Sequence, residues 1–181
     1  MEVLKKVHLG CGKKHFSGWI NIDVDHTVNP DIVDDITNLS IIEDNSVDLI
    51  YACHVLEHIG RWKWRSVLKL WSSKLKQGGT LRISVPSFEA VVNRYNQKHN
   101  ITEVSGLVCG GQRNEYDIHF IIFDKPLLTE GLIEAGLVDI KEWDWRTTEH
   151  SHIDDYSQSY LPHLDKENGM HMSLNLEGTK G

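Results

Sequence analysis

The chain has 181 residues, 40% of them hydrophobic and 25% charged, enough apolar material for one core and for a single domain over residues 1–181. Twenty-six acidic residues against 19 basic ones leave a net charge of -7, which opposes the phosphate neutralisation that dominates binding to DNA or RNA. Three irregularly placed cysteines, Cys11, Cys53 and Cys109, exclude a disulfide framework or a zinc knuckle and fit a reducing cytoplasm, and neither a secretion signal in MEVLKKVHLGCG nor a membrane-length apolar stretch is expected.

In chain order, Val3 to Leu9 reads as a strand that ends at Gly10-Cys11-Gly12, and Gly18 to Asp23 alternates apolar and polar residues before ending in an acid. Asp31 to Ile36 is a third, short strand, and Val47 to Cys53 a fourth, apolar enough to be central. Trp64, Val67, Leu68, Trp71 and Leu75 recur at helical spacing, and Gly78-Gly79 is expected to stop that helix. Thr80 to Val85 forms a fifth strand halted by Pro86, followed by a helix over Phe88 to Gln97. A further helix opens at Lys125-Pro126 and ends near Gly136, with Pro at its start and Gly at its end. Val138 to Trp145 and Met170 to Glu177 are two last strands. Strand alternating with helix predicts an α/β fold with a mostly parallel sheet and helices on both faces. The last two strands have no helix between them, so they are expected to pair antiparallel at one edge.

Gly10-Cys11-Gly12 lies where a buried strand turns into a connection, so backbone can approach a ligand without side-chain clash. Asp23, at the tip of the next strand, is placed to accept hydrogen bonds from the ribose hydroxyls of a nucleoside. NAD would use the same fold and an acid in the same role, but two departures count against it. Its fingerprint needs a third glycine where this chain has His15, and an acid about 20 residues on, whereas Asp23 follows Gly12 too closely for a full crossover helix.

His8-Leu-Gly-Cys-Gly12, Gly18-Trp-Ile-Asn-Ile-Asp23, Asp34-Asp35-Ile36, Asp48 to His58, Leu75 to Pro86 and Gly131 to Leu137 together resemble the class I methyltransferases. Within them the chain is similar to the short, type 11-like members. The resemblance implies a Rossmann-like sheet and S-adenosylmethionine as cofactor. It sets Gly10, Cys11 and Gly12 against the methionine part, Asp23 on the ribose, Asp35 on the adenine amino group with Ile36 nearby, and Cys53 and His54 beside the sulfonium. The family usually carries an acid two residues before the first glycine; this chain has His8. Asp35 could instead serve only to cap the Thr37 turn, and Asp23 could be a solvated strand-end acid.

His54-Val-Leu-Glu57-His58 also matches the inverted zinc-protease pattern, which on a helix makes the histidines ligands and the glutamate a base. Such enzymes need another downstream ligand and usually a longer chain, and His54 and His58 are expected to be pocket residues without the thiolate or carboxylate set of a closed site, so no stoichiometric zinc is expected. The glycine-led segment from Gly110 to His119 suits a loop over a pocket, with His119 either catalytic or buttressing the Asp124 helix start. A 24-residue connection, Arg146 to Gly169, is expected to wall the acceptor site, with Tyr156, Tyr160 and His163 available to grip it. A hydroxyl acceptor needs a base, for which His119 and His54 stand first and Glu57 and His58 next. The acceptor expected is a small polar molecule, a sugar or glycan precursor; the competing reading is a non-catalytic S-adenosylmethionine-binding protein of the same fold.

Overall fold

The computed structural model describes residues 4–181, so the strand assignment of Val3 lies outside the described residues. The strands are β1 (Lys6–Leu9), β2 (Ile20–Asp23), β3 (Ile32–Val33), β4 (Val47–Cys53), β5 (Leu75–Pro86), β6 (Leu137–Glu142), β7 (Tyr160–Leu161), β8 (Met170–His171) and β9 (Ser173–Lys180). Seven of them form one sheet in the order β3-β2-β1-β4-β5-β9-β6, and β7 and β8 make a separate two-stranded ladder. The first five pair in parallel, and β9 runs antiparallel to both of its neighbours.

The expected antiparallel pairing of the last two long strands is present, but the antiparallel strand is not the edge. β9 buries Ser173, Asn175, Leu176 and Gly178 and so belongs inside the sheet. β6 exposes Val138, Asp139, Lys141 and Glu142, and this charged strand forms the edge instead, which discourages pairing with another chain.

The helices are α1 (Trp64–Lys74), α2 (Phe88–Lys98), α3 (Ser105–Cys109) and α4 (Lys125–Glu134). Gly78-Gly79 does not stop α1 as the sequence suggests: the helix ends at Lys74 and Leu75 enters β5 at once. The glycines serve an irregularity inside β5, where Val47 pairs with Leu75 but Leu49 with Thr80. Gly78 has φ 77°, and a Cβ on Gly79 would stand 3.0 Å from the Val47 carbonyl oxygen. In α4, Asp124 caps by accepting from the Leu127 N–H at 2.9 Å, with Pro126 in the first turn as expected.

Alternation along β4 sends Ile50 and Ala52 to one face and Tyr51 and Cys53 to the other. On the first face α1 and α4 supply Trp64, Leu68, Trp71, Leu128 and Leu132 to the main core. The second face is not covered by a helix at its centre, contrary to expectation. Residues between β1 and β2 are too few to form one, and Phe16 and Trp19 pack there with Trp143, Tyr51 and Cys53. Among the described residues no helix is long and apolar enough to cross a membrane.

Candidate active site

Because β1, β2 and β4 are parallel, Leu9, Asp23 and Cys53 end at the same rim of the sheet, the side on which open α/β sheets bind ligands. Gly10 and Gly12 turn the chain there in left-handed conformations, φ 61° and 50°. A side chain at Gly10 would meet Val55 Cγ2 at 2.5 Å, while nothing lies within 4 Å of a Cβ on Gly12. Asp23 braces this turn: one carboxylate oxygen accepts from the Gly12 N–H at 2.8 Å and the other from the Asp25 N–H at 2.9 Å. A carboxylate has about four acceptor positions. Two are therefore left for a ligand.

The rim opens into a cleft with two adjoining parts, of about 380 Å³ and 550 Å³, which share Gly10, Asp23, Val24, His54, His58 and Tyr116. The smaller part is lined by Asp35, Ile36 and Thr37, an acid beside apolar surface. Asp35 also accepts from the Thr37 N–H at 2.8 Å, so it caps that turn as well as lining the cleft. The larger part is lined by Cys11, Gly12, Cys53 and His8. Burial pushes the Cys11 thiol up to about 12 and the Cys53 thiol well above its usual value, so neither is a nucleophile.

His8 stacks on Phe16 at 4.2 Å and is held down to about pH 3 by burial, a neutral ring in the aromatic cluster. A carboxylate does line this end of the cleft, and it comes from Asp155, whose Oδ2 accepts from the Tyr51 hydroxyl at 2.6 Å. Asp155 is a residue that sequence reasoning missed; its only signal was membership of the long connection after β6. Of the residues expected from that connection, Tyr156 lines the cleft. Tyr160 does not: it is buried, its hydroxyl accepts from Arg146 Nη2 at 3.0 Å, and its ring lies 5.0 Å from His171. His163 is exposed and lines neither part of the cleft. The Gly110–His119 loop does cover the pocket, through Arg113, Asn114, Tyr116 and Asp117.

Beside the cleft the four residues singled out for acid–base work converge. His54 follows β4 in a left-handed conformation, φ 52°, an uncommon one for a residue with a Cβ. Residues 56–58 make one 3-10 turn, so the helix that the zinc-protease pattern requires is absent there. Glu57 is 1% exposed, and neither of its carboxylate oxygens has a hydrogen-bond partner. Burial alone pushes it up to about 8. His54 Nδ1 lies 3.5 Å and His119 Nε2 3.9 Å from Glu57 Oε1, and the His58 and His119 rings are 4.7 Å apart. His119 Nδ1 meets the Leu107 carbonyl at 3.0 Å, so it does not buttress the Asp124 helix start. Its ring also lines a separate cavity with Arg61, Trp62 and Phe120.

Residues 7–83 match the family model described as a methyltransferase domain. The matched stretch is fewer than half of the chain's residues, and the fold is that of the class I methyltransferases. No curated protein matches it. Solved structures that share its fold include a SAM-dependent methyltransferase from Archaeoglobus fulgidus, 17% identical over 98% of this chain and 86% of that one, with a TM-score of 0.63. Another, described as a SAM-dependent methyltransferase and possible histamine N-methyltransferase from Thermotoga maritima, is 16% identical over 100% of this chain and 84% of that one, at 0.62. A third, an S-adenosylmethionine-dependent methyltransferase from Mesorhizobium loti, is 17% identical over 98% and 91% of the two chains, at 0.58. The cleft suits S-adenosylmethionine: open backbone at Gly12, carboxylates at both ends and apolar surface at Ile36. It does not suit a dinucleotide, since no helix follows β1 to receive a pyrophosphate.

Proposed function

We propose that the protein is an S-adenosylmethionine-dependent methyltransferase which, acting as one domain over residues 1–181, methylates a hydroxyl of a small polar acceptor of the sugar or glycan-precursor class. Asp23 takes the ribose hydroxyls, Asp35 and Ile36 hold the adenine, and Gly10, Cys11 and Gly12 pass beneath the methionine part, with Cys53 and His54 flanking the sulfonium. Asp155 supplies, from the far end of the chain, the acid that position 8 lacks. Three free cysteines favour a reducing, cytoplasmic setting.

The bound cofactor supplies an electrophilic methyl group on sulfur; the protein aligns the acceptor and excludes water. The observation that carries the hydroxyl reading is the cluster of His58, His119 and Glu57, of which His58 lines the cofactor cleft. An amine acceptor needs only to be neutral, whereas a hydroxyl must be activated, and these are the groups that can do it. Burial holds His58 and His119 below the usual histidine value, so both are neutral at pH 7 and offer lone pairs. His54, pushed down to about 3, is too weak a base and serves to shape the cleft. Arg113, Asn114, Tyr116 and Tyr156 give the mouth hydrogen-bonding groups for a polyhydroxylated molecule.

The test is a panel of sugars, nucleotide sugars, phenols and amines incubated with the protein and S-adenosylmethionine, with products resolved by mass spectrometry. A methyl ether on a polyhydroxylated acceptor is expected. Methylation confined to amines overturns the reading.

A further inference from the structure

The histidine tautomers around Glu57 are fixed from outside the cluster. His58 Nδ1 lies 3.1 Å from the Ile118 carbonyl oxygen and His119 Nδ1 3.0 Å from that of Leu107, and a carbonyl only accepts. Both Nδ1 atoms therefore carry the proton, and both Nε2 atoms carry a lone pair. His54 obeys the same logic. Its Nε2 meets Ser173 Oγ at 3.0 Å, and that hydroxyl spends its proton on the Tyr156 carbonyl at 2.6 Å. His54 Nε2 is thus the donor and its Nδ1, facing Glu57 Oε1, is the bare nitrogen.

Two imidazoles, those of His54 and His119, consequently face a buried carboxylate with lone pairs, the His58 ring stands 4.7 Å from that of His119, and that carboxylate accepts no hydrogen bond. Such a gathering of acceptors is repulsive unless something positive sits among them. One proton on Glu57 would satisfy a single contact. A cation would satisfy them together. Ligand atoms of Glu57, His58 and His119 lie within 4.8 Å of one another, close enough to share an ion.

We propose that Glu57, His58 and His119 bind a divalent transition-metal cation of the zinc class. Two imidazoles and one carboxylate suit such ions rather than magnesium or calcium, which take oxygen ligands. Histidines that donate their second ring nitrogen to a backbone carbonyl are the usual outer support of a metal site. Three protein ligands leave a position open, as at catalytic rather than structural zinc. The set differs from the sequence pattern: Glu57 is a ligand and not a base, and His119 comes from a loop far along the chain. It also departs from the sequence expectation of no zinc.

Of the three ligands His58 lines the cofactor cleft, so the site adjoins the space in which an acceptor would bind. This consequence rests on the hydroxyl reading above: an oxygen ligand held there would lose its proton more readily. Ion binding itself needs neither acceptor nor cofactor.

The experiment is a titration of the chelator-stripped full chain with Co²⁺, read by visible absorption, followed by displacement with Zn²⁺ and by thermal unfolding. One equivalent producing d–d bands that Zn²⁺ erases, with a rise in Tm, is expected. His58→Ala and His119→Ala should each lose the bands, and His163→Ala, at an exposed site, should keep them. Glu57→Gln serves if an alanine variant fails to fold. Absent bands in a folded wild-type chain, or equal bands in wild type and both cluster variants, overturn the proposal. S-adenosylhomocysteine binding by the same stripped protein reports separately on the methyltransferase reading, which survives a negative metal result.

Discussion

Asp23→Ala separates a cofactor-binding acid from a strand-end brace. In the free protein the side chain accepts two backbone N–H groups, from Gly12 at 2.8 Å and Asp25 at 2.9 Å. Asp23 is half-buried, so water can replace it at both donors, and the variant should fold with a loss of about 1 kcal/mol for each bond. Hydrogen bonds from ribose to an ionised acceptor are worth roughly 1.5–3 kcal/mol each, which corresponds to about a 10- to 100-fold rise in Kd for the loss of one. Calorimetric titration with S-adenosylhomocysteine measures this, with a thermal melt on the same sample. Asp23→Asn, which keeps one acceptor oxygen, should lie between wild type and alanine. Unchanged affinity in folded Asp23→Ala would show that this carboxylate only braces the turn and never meets the ligand.

His119→Ala should lower turnover on the true acceptor by about 10² to 10⁴ while leaving S-adenosylhomocysteine affinity near wild type, because His119 does not line the cofactor cleft. His54→Ala, which does line it, should impair both; full turnover in His119→Ala would remove that residue from the chemistry. Gly131→Ala would drive a Cβ into Trp64 Cζ3, so it should destabilise by about 1–3 kcal/mol of overpacking, and a Tm equal to wild type contradicts the α1–α4 contact. Buried His8 titrates at about 3 folded against about 6.5 unfolded, so below pH 6.5 the unfolded chain binds the extra proton. Stability should therefore fall with pH from about 6.5 down to 3, at up to about 1.4 kcal/mol per pH unit from this residue. His8→Phe, which keeps a ring on Phe16, should flatten that slope in urea titrations; an unaltered slope refutes the assignment.

The parts of the fold written locally were legible. β4 runs over the same residues in sequence and structure because a central strand is apolar on both faces and its ends are marked by the polar residues that follow. Gly10, Gly12 and Asp23 were legible because each sits at a strand end, where parallel topology fixes which rim it faces. What failed depends on distant partners. Gly78-Gly79 looks like a helix stop, but close approach of the Val47 backbone is what excludes a side chain at Gly79. The partners that set the His58 and His119 tautomers, Ile118 and Leu107, are backbone carbonyls and have no sequence signature. Asp155 reaches the cleft only because the connection after β6 folds back onto Tyr51, a contact spanning 104 residues.

Calorimetric titration of the full chain with S-adenosylmethionine and, separately, with NAD decides which cofactor the cleft takes. Saturable 1:1 binding of S-adenosylmethionine and no comparable heat from NAD are expected, since the cleft offers Gly12, Asp23 and Asp35 but no helix N-terminus after β1. Tight binding of NAD, with neither heat nor a thermal shift from S-adenosylmethionine, would contradict this reading.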